Sequence, residues 1–359
     1  MIAAAISIMF TAVIIAWALY INNKTAEKPN DNILLGVSLS HHALTDSAVT
    51  DIVKKYHKAH MLLFIVFLLL SPLLLLMPQH IFLAVFYLYA WLGTFIILNQ
   101  KVIDKYFTAL YALKAQKGWW MGTQEFISID TEVSRLKNTF PIANTWFIIP
   151  VAVTACAIFI FLAGDEAIPI WSVAIIAAIP LLIVGAYFAY SKVRTVVYSD
   201  NTDVNIALNR LFKREWTLAC LIIGIATSIQ FLAISLLSPD ETGPGALVVT
   251  LLSFVYVAVV AFASFGAYNK IRSAKNRMRH LINEEVYEDD DLCWMFGAMF
   301  YNNPNDHKVF VEKRIGIGLT INIATWSGKV ILACIAVALA AVLGYVAYYA
   351  LLDLELLFS

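Results

Sequence analysis

Little in this chain is charged. Asp, Glu, Lys and Arg make up 14% of its 359 residues, and none of them, nor any histidine, sits centrally in a long apolar run. Ionisable groups inside a bilayer usually mark ion or proton pathways, so their absence argues against an ion-coupled pump. A His-Glu-x-x-His helix and membrane-embedded Asp pairs are missing too, which excludes the common intramembrane protease signatures. Cysteine is scarce: Cys156, Cys220 and Cys334 fall in apolar runs and Cys293 in a polar loop. No two share a metal-ligand spacing, so neither a disulfide framework nor a zinc site is expected. The net charge is zero, which removes a simple polybasic nucleic-acid binder.

What is present is apolar surface. Mean hydropathy is +0.76 and 61% of residues are hydrophobic, so the bilayer is the relevant solvent. Runs long enough to cross about 30 Å of hydrocarbon occur at 2–20, 61–77, 81–98, 146–163, 170–190, 217–238, 246–268 and 329–352. The expected fold is an all-α polytopic membrane protein of about eight transmembrane helices, with a small β-containing cytoplasmic loop region. Four segments are expected. Residues 1–60 form an N-out anchor helix and first cytoplasmic loop, and 61–145 a helical hairpin, joined by Met77-Pro78-Gln79-His80, with the second loop. Residues 146–268 form a four-helix core with the third loop, and 269–359 the last loop and last helix. The first Lys follows the first apolar run rather than preceding it, so 2–20 reads as an uncleaved anchor rather than a signal peptide.

Orientation follows from charge. All 25 Lys and Arg residues lie in four segments, 21–60, 99–145, 191–216 and 269–329. The alternate connections carry acids instead, Asp165-Glu166 and Asp240-Glu241. By the positive-inside rule the four long loops are cytoplasmic and both termini extracytoplasmic.

Three loops lead into the next span through an acidic helix start, at Asp46–His60, Asp130–Thr145 and Asp200–Trp216. In the first, Val49, Ile52, Val53 and Tyr56 recur at helical spacing, an amphipathic helix that lies on the membrane or on its neighbours. After the third span the chain continues helically from Lys105 to Gln116 and stops at Gly118. The pair Trp119-Trp120 suits the headgroup level. His57 and His60 would share a helix face, yet no Cys, Asp or Glu stands at ligand spacing, so no metal is expected. The acidic run Glu284–Asp291 lacks the glycine turn and spaced ligands of a calcium loop, and reads as a solvated segment.

The densest polar stretch is Asp289–Lys329. Asn303, Pro304 and Asp306 read as a structural turn. Ile315, Ile317, Leu319 and Ile321 share one face and small or polar residues the other, which predicts a small β-hairpin or three-stranded patch packed against the inner helix ends. Lys313 and Arg314 beside Gly316 and Gly318, with Asn322 following, have two readings. They are interfacial anchors and turns, or they cradle an anionic lipid headgroup or nucleotide, since glycines let backbone N–H groups approach an anion.

These residues also carry a resemblance. The order Trp294, Gly297, Tyr301, Asn303-Pro304, Asp306, then Phe310-Val311, Lys313-Arg314, Gly316, Gly318, Thr320 and Asn322 resembles the C-terminal box of an uncharacterised bacterial membrane-protein family, domain of unknown function 5808, itself distantly SdpI-like. Leu35-Gly36-Val37-Ser38-Leu39 with Lys54-Lys55-Tyr56, and Asp130 with Trp146-Phe147 and Pro150, are similar to other parts of that family. Leu319 stands where the family usually has Trp, and the proline-rich N-terminal SdpI-type signature is absent. The resemblance implies a multi-pass bacterial inner-membrane protein without known catalytic residues.

The function expected is non-enzymatic: sensing, or protection against membrane-active peptides or envelope stress, through the cytoplasmic loops. The alternative is a transporter or lipid-handling protein that admits substrate between helices kinked near Pro72, Pro150 and Pro180. The expected partners are the lipid bilayer, anionic headgroups and a cytoplasmic protein, with no cofactor and no nucleic acid.

Overall fold

The computed structural model describes residues 2–30, 32–76, 81–120, 141–163, 170–193, 201–237, 244–278 and 290–358. The 77–80 turn, Asp130, the acidic pairs at 165–166 and 240–241, and residues 284–289 of the acidic run lie outside them. The chain forms two compact units: Met1–Gln124 together with Tyr287–Ser359, and Glu125–Val286.

The first unit begins with α1 (Ile2–Lys24) and a 3-10 turn, Thr25–Glu27. A hairpin of β1 (Ile33–Leu34) and β2 (Val37–Ser38) and the short α2 (His41–Leu44) follow. Helix α3 (Ser47–Leu70) starts at Asp46, whose carboxylate accepts from the Ala48 N–H at 2.8 Å, meeting one donor the first turn leaves unpaired. It passes into a 3-10 turn at Ser71–Leu76, where Pro72 removes a backbone donor. Helix α4 (Ile81–Lys117) joins the third span and its expected extension into one element, and ends at Gly118 with φ +66°. The extensions of α3 and α4 beyond their apolar stretches are therefore continuous with the spans.

The second unit holds α5 (Ile148–Ala163), α6 (Ile170–Lys192), α7 (Thr202–Leu237) and α8 (Pro244–Met278). Helix α7 packs against the other three. Its seams carry neutral polar groups: Thr154 and Ser228 hydroxyls meet at 2.9 Å, Ser228 also donates to the Pro150 carbonyl at 2.8 Å, and Gln230 donates to Ser253 at 2.8 Å. Gln230 is thus interhelical glue, the role expected of amides between spans.

After the second unit the chain returns to the first through two more hairpins and a last helix. Strand β3 (Trp294–Met295) pairs with β4 (Phe300–Tyr301), and β5 (Phe310–Glu312) with β6 (Leu319–Ile321). Helix α9 (Trp326–Phe358) packs on α4. Six described helices are long and apolar enough to cross a membrane: Ser47–Leu76, Phe82–Lys117, Asn144–Ala163, Thr202–Leu237, Val248–Met278 and Trp326–Leu352. Helices α1 and α6 occupy the stretches expected for the first and fifth spans, α6 with a shorter apolar stretch, Ala178–Ser191.

One expectation is corrected here. The Trp119-Trp120 pair follows an unbroken helix that runs 19 residues past Leu98, the end of the apolar stretch of α4, roughly 28 Å at 1.5 Å per residue. Trp119 packs back on the core of the β hairpins, Lys117 lies over its ring at 5.0 Å, and Trp120 meets Tyr111 edge-on. In β6 the buried face is the polar one: Thr320 and Asn322 are buried, while Ile317, Leu319 and Ile321 are half-exposed. Polar groups take the inside because they have bonds to make there. Thr320 donates to the Met299 carbonyl at 2.7 Å, and Asn322 donates to the carbonyls of Asn303 and Asp306 at 3.0 and 2.8 Å.

Candidate functional site

The box, the first hairpin and the polar ends of α3 and α4 share one core. Leu34, Leu35, Val37 and Leu39 pack with Val49 and Tyr56 of α3 and with Ile103, Phe107 and Leu110 of α4. Trp294, Ala298, Tyr301 and Ile315 close it from the C-terminal side. The amphipathic face predicted for Asp46–His60 therefore packs on neighbouring elements: Val49 and Tyr56 are buried in this core, with Ile52 and Val53 against it.

At the top of that core sits a buried charge network. The Asp291 carboxylate is 1% exposed and the Lys114 ammonium 0%, and they meet at 2.6 Å. Arg314 pairs with both Asp290 and Asp291, donates to the Gly36 carbonyl at 2.7 Å, and stacks over Trp294 at 5.3 Å. Ser38 donates to Asp291 through its N–H at 3.0 Å and its hydroxyl at 2.9 Å, and accepts from Lys114 at 3.0 Å. Burial alone would raise the carboxyl's pKa. The Arg314 charge and the hydrogen bonds from Lys114, Arg314 and the Ser38 N–H outweigh it, and hold Asp291 below the ordinary 3.8. The acidic run was expected to be solvated, yet its end, Asp291, is the most enclosed carboxylate of the box.

The residues singled out for an anion divide. Arg314 is engaged by Asp290 and Asp291. The Gly316 N–H donates to the Thr25 hydroxyl at 3.2 Å and the Ile317 N–H to the Asn22 side-chain oxygen at 2.8 Å. The loop amides thus already hold the end of α1. Gly316 is required there, since its φ is +81° and a Cβ would collide with the Asn22 side-chain amide. The Gly318 carbonyl accepts from the Lys313 N–H at 3.1 Å. Asn322 is fully buried and ties down the turn of Asn303, Pro304 and Asp306, where Asn303 and Asp306 each accept a backbone N–H two residues on. Lys313 differs from the rest: nothing among the described residues pairs with its ammonium group, and partial burial pushes its pKa down.

His57 and His60 do not converge. His57 bonds Glu27 at 2.9 Å, while His60 is buried between the Tyr20 and Tyr56 rings at 4.6 and 5.4 Å. Among the described residues no group of three His, Cys, Asp or Glu is placed to hold a metal. Sequence reasoning gave no role in the site to Asn22, Thr25, Ser38 or Lys114, whose partners in the network and the glycine loop lie between 76 and 295 residues away along the chain. No local pattern announces such pairs.

The model of a family of unknown function, DUF5808, matches residues 304–329. The match takes in Pro304 and Asp306 of the Asn322-anchored turn, β5, Lys313-Arg314, both glycines, β6 and the start of α9. No curated protein and no solved structure matches the chain.

Proposed function

We propose that this chain is a multi-pass bacterial inner-membrane protein with eight spans and both termini extracytoplasmic. Its role is to sense, or protect against, membrane-active peptides or envelope stress, and it is not an enzyme. The observation that carries the reading is the Lys114–Asp291–Arg314 network. Its charges fasten the box to the end of α4 and to the β1–β2 hairpin, while the loop amides hold the end of α1 and apolar packing holds α3, as in a recognition module rigidly joined to membrane helices. A ligand on such a module acts on the helices, and stress on the helices acts on the module. Lys313 is the cation beside the two glycines that is left for an anionic headgroup, and a cytoplasmic protein is the expected partner of the module's surface.

The test is survival of cells challenged with membrane-active peptides. Deletion is expected to sensitise them, wild type to restore survival, and Asp291→Ala to fail while still inserting. Equal survival with and without the chain, together with solute uptake by proteoliposomes of the purified protein, would overturn this reading in favour of a transporter.

A further inference from the structure

The β3–β4 hairpin points along α4. At its foot, Asp291 is bonded to Lys114. At its tip, Gln100 donates to the carbonyls of Phe296 and Gly297, and Gly297 lies so close to α4 that a Cβ would stand 2.7 Å from the Asp104 nitrogen. The hairpin thus descends from Lys114 toward the apolar stretch of α4, and stops just short of it. The stretch ends at Leu98, two to six residues before the contacts at Gln100, Ile103 and Asp104. At 1.5 Å per residue the tip lies about 3–9 Å beyond the hydrocarbon edge. The headgroup layer is about 5–7 Å deep on each side, which places the Gln100 contact within it and the Asp104 contact at its outer edge.

The side chains at that level are apolar and turned outward. Phe296 is 59% exposed, with Met295 and Met299 beside it. Within the fold the Phe296 ring meets Phe300 edge-on at 6.3 Å. Phe296, Gly297 and Ala298 all have positive φ, at 50°, 57° and 61°, a conformation that disfavours large side chains. A large ring is thus held at a strained turn and left facing out. Trp326 shares the level. Phe82 of α4 stacks on Tyr349 of α9 at 4.8 Å. Nearly equal steps from that pair, forward along α4 and back along α9, reach Asp104 and Trp326, and Trp326 is 80% exposed.

We propose that the β3–β4 tip, through Phe296, Met295 and Met299 and in line with Trp326, inserts into the lipid headgroup layer and rests the box on the bilayer surface. Aromatic side chains partition to this layer because it takes an apolar ring and a polar surround together. The proposal rests on the membrane-crossing part of the proposed function.

The experiment uses the full chain in phospholipid vesicles, with Cys156, Cys220, Cys293 and Cys334 replaced by Ala. A nitroxide is placed in turn at Phe296→Cys, Leu292→Cys and Val337→Cys, and its exposure to oxygen and to a water-soluble nickel chelate is compared. Val337, 69% exposed on α9, reports whether the helix is in the bilayer at all. A nickel-accessible label there defeats the membrane reading. Leu292, 81% exposed near the foot of the hairpin, is the aqueous reference. The Phe296 label is expected to have an oxygen-to-nickel ratio severalfold above that of Leu292. A ratio equal to that of Leu292 overturns the proposal. So does shielding from both reagents, which would mean that protein, from this chain or a second copy, covers the tip. If the cysteine-free chain does not fold, wild type is irradiated with a phospholipid carrying a photoreactive headgroup. Adducts on Met295–Met299 are expected, and adducts on α9 without any there overturn the proposal.

Discussion

The two units handle polarity differently. Within the apolar stretches of the second, the groups joining α5, α7 and α8 are hydroxyls and an amide. Carbonyls of their own helices stand in reach of them, Pro150 for Thr154, Gly224 as an alternative to Pro150 for Ser228, and Val249 for Ser253. An ion pair, Lys270 with Glu215, joins the polar ends of α7 and α8 and leaves the lysine largely exposed. In the first, beyond the apolar part of α4, full charges are buried and satisfied by one another. Neutral groups that can fall back on their own helix lose little when a partner is removed. A buried ion keeps its desolvation penalty when its partner goes, so its loss is severe. One device trims a helix seam; the other decides whether a module is assembled.

The sharpest way to break that contrast is Asp291→Ala, which removes the carboxylate from Lys114 and Arg314 together. A loss of about 3–5 kcal/mol is expected, read as rapid hydrogen exchange across β3–β6 while α5–α8 keep their protection. Arg314→Ala should do less, because Asp291 retains Lys114. It should leave insertion unchanged in protease protection, since the other basic residues still set orientation. Gly316→Ala, with a strained φ and a Cβ pressed on Asn22, should cost roughly 1–3 kcal/mol, seen as a lower melting temperature of the box. Smallest of all is Ser228→Ala in the second unit, about 0.6 kcal/mol; a loss as large as that of Asp291→Ala would erase the comparison.

Acid sharpens it further. Asp291 has a depressed pKa in the folded protein, so its contribution is fully present above the ordinary 3.8 and lost as pH falls below that. Wild type should hold its box protection flat from neutral pH down to about that value and then lose it, whereas Asp291→Ala should show no such step.

Much of the helical frame was legible because span length and helix periodicity are local. The apolar runs placed most helices, and Val49, Ile52, Val53 and Tyr56 revealed a helix face whose cover they could not name. The expected turn at Asn303-Pro304 and the stop at Gly118 follow from single-residue backbone preferences. The box was harder to read. Alternation tells which residues share a face but not which face is inside, and Thr320 and Asn322 carry hydrogen bonds that put the polar face inward. Arg314 and Gly316 looked free for an anion because Asp291, Asn22 and Thr25 are distant in sequence. Trp119-Trp120 read as a headgroup anchor because nothing local shows how far α4 carries them.

The separation of Lys114 from Asp291, 177 residues, also has a consequence in time. At 5–20 residues per second, a ribosome that has just added Lys114 needs roughly 10–35 s to reach Asp291. For that interval helices α1–α4 carry a cationic socket with its carboxylate still unmade. The nascent protein passes it as an open clasp, available to chaperones and proteases, and the C-terminal box is the latch that ends the wait.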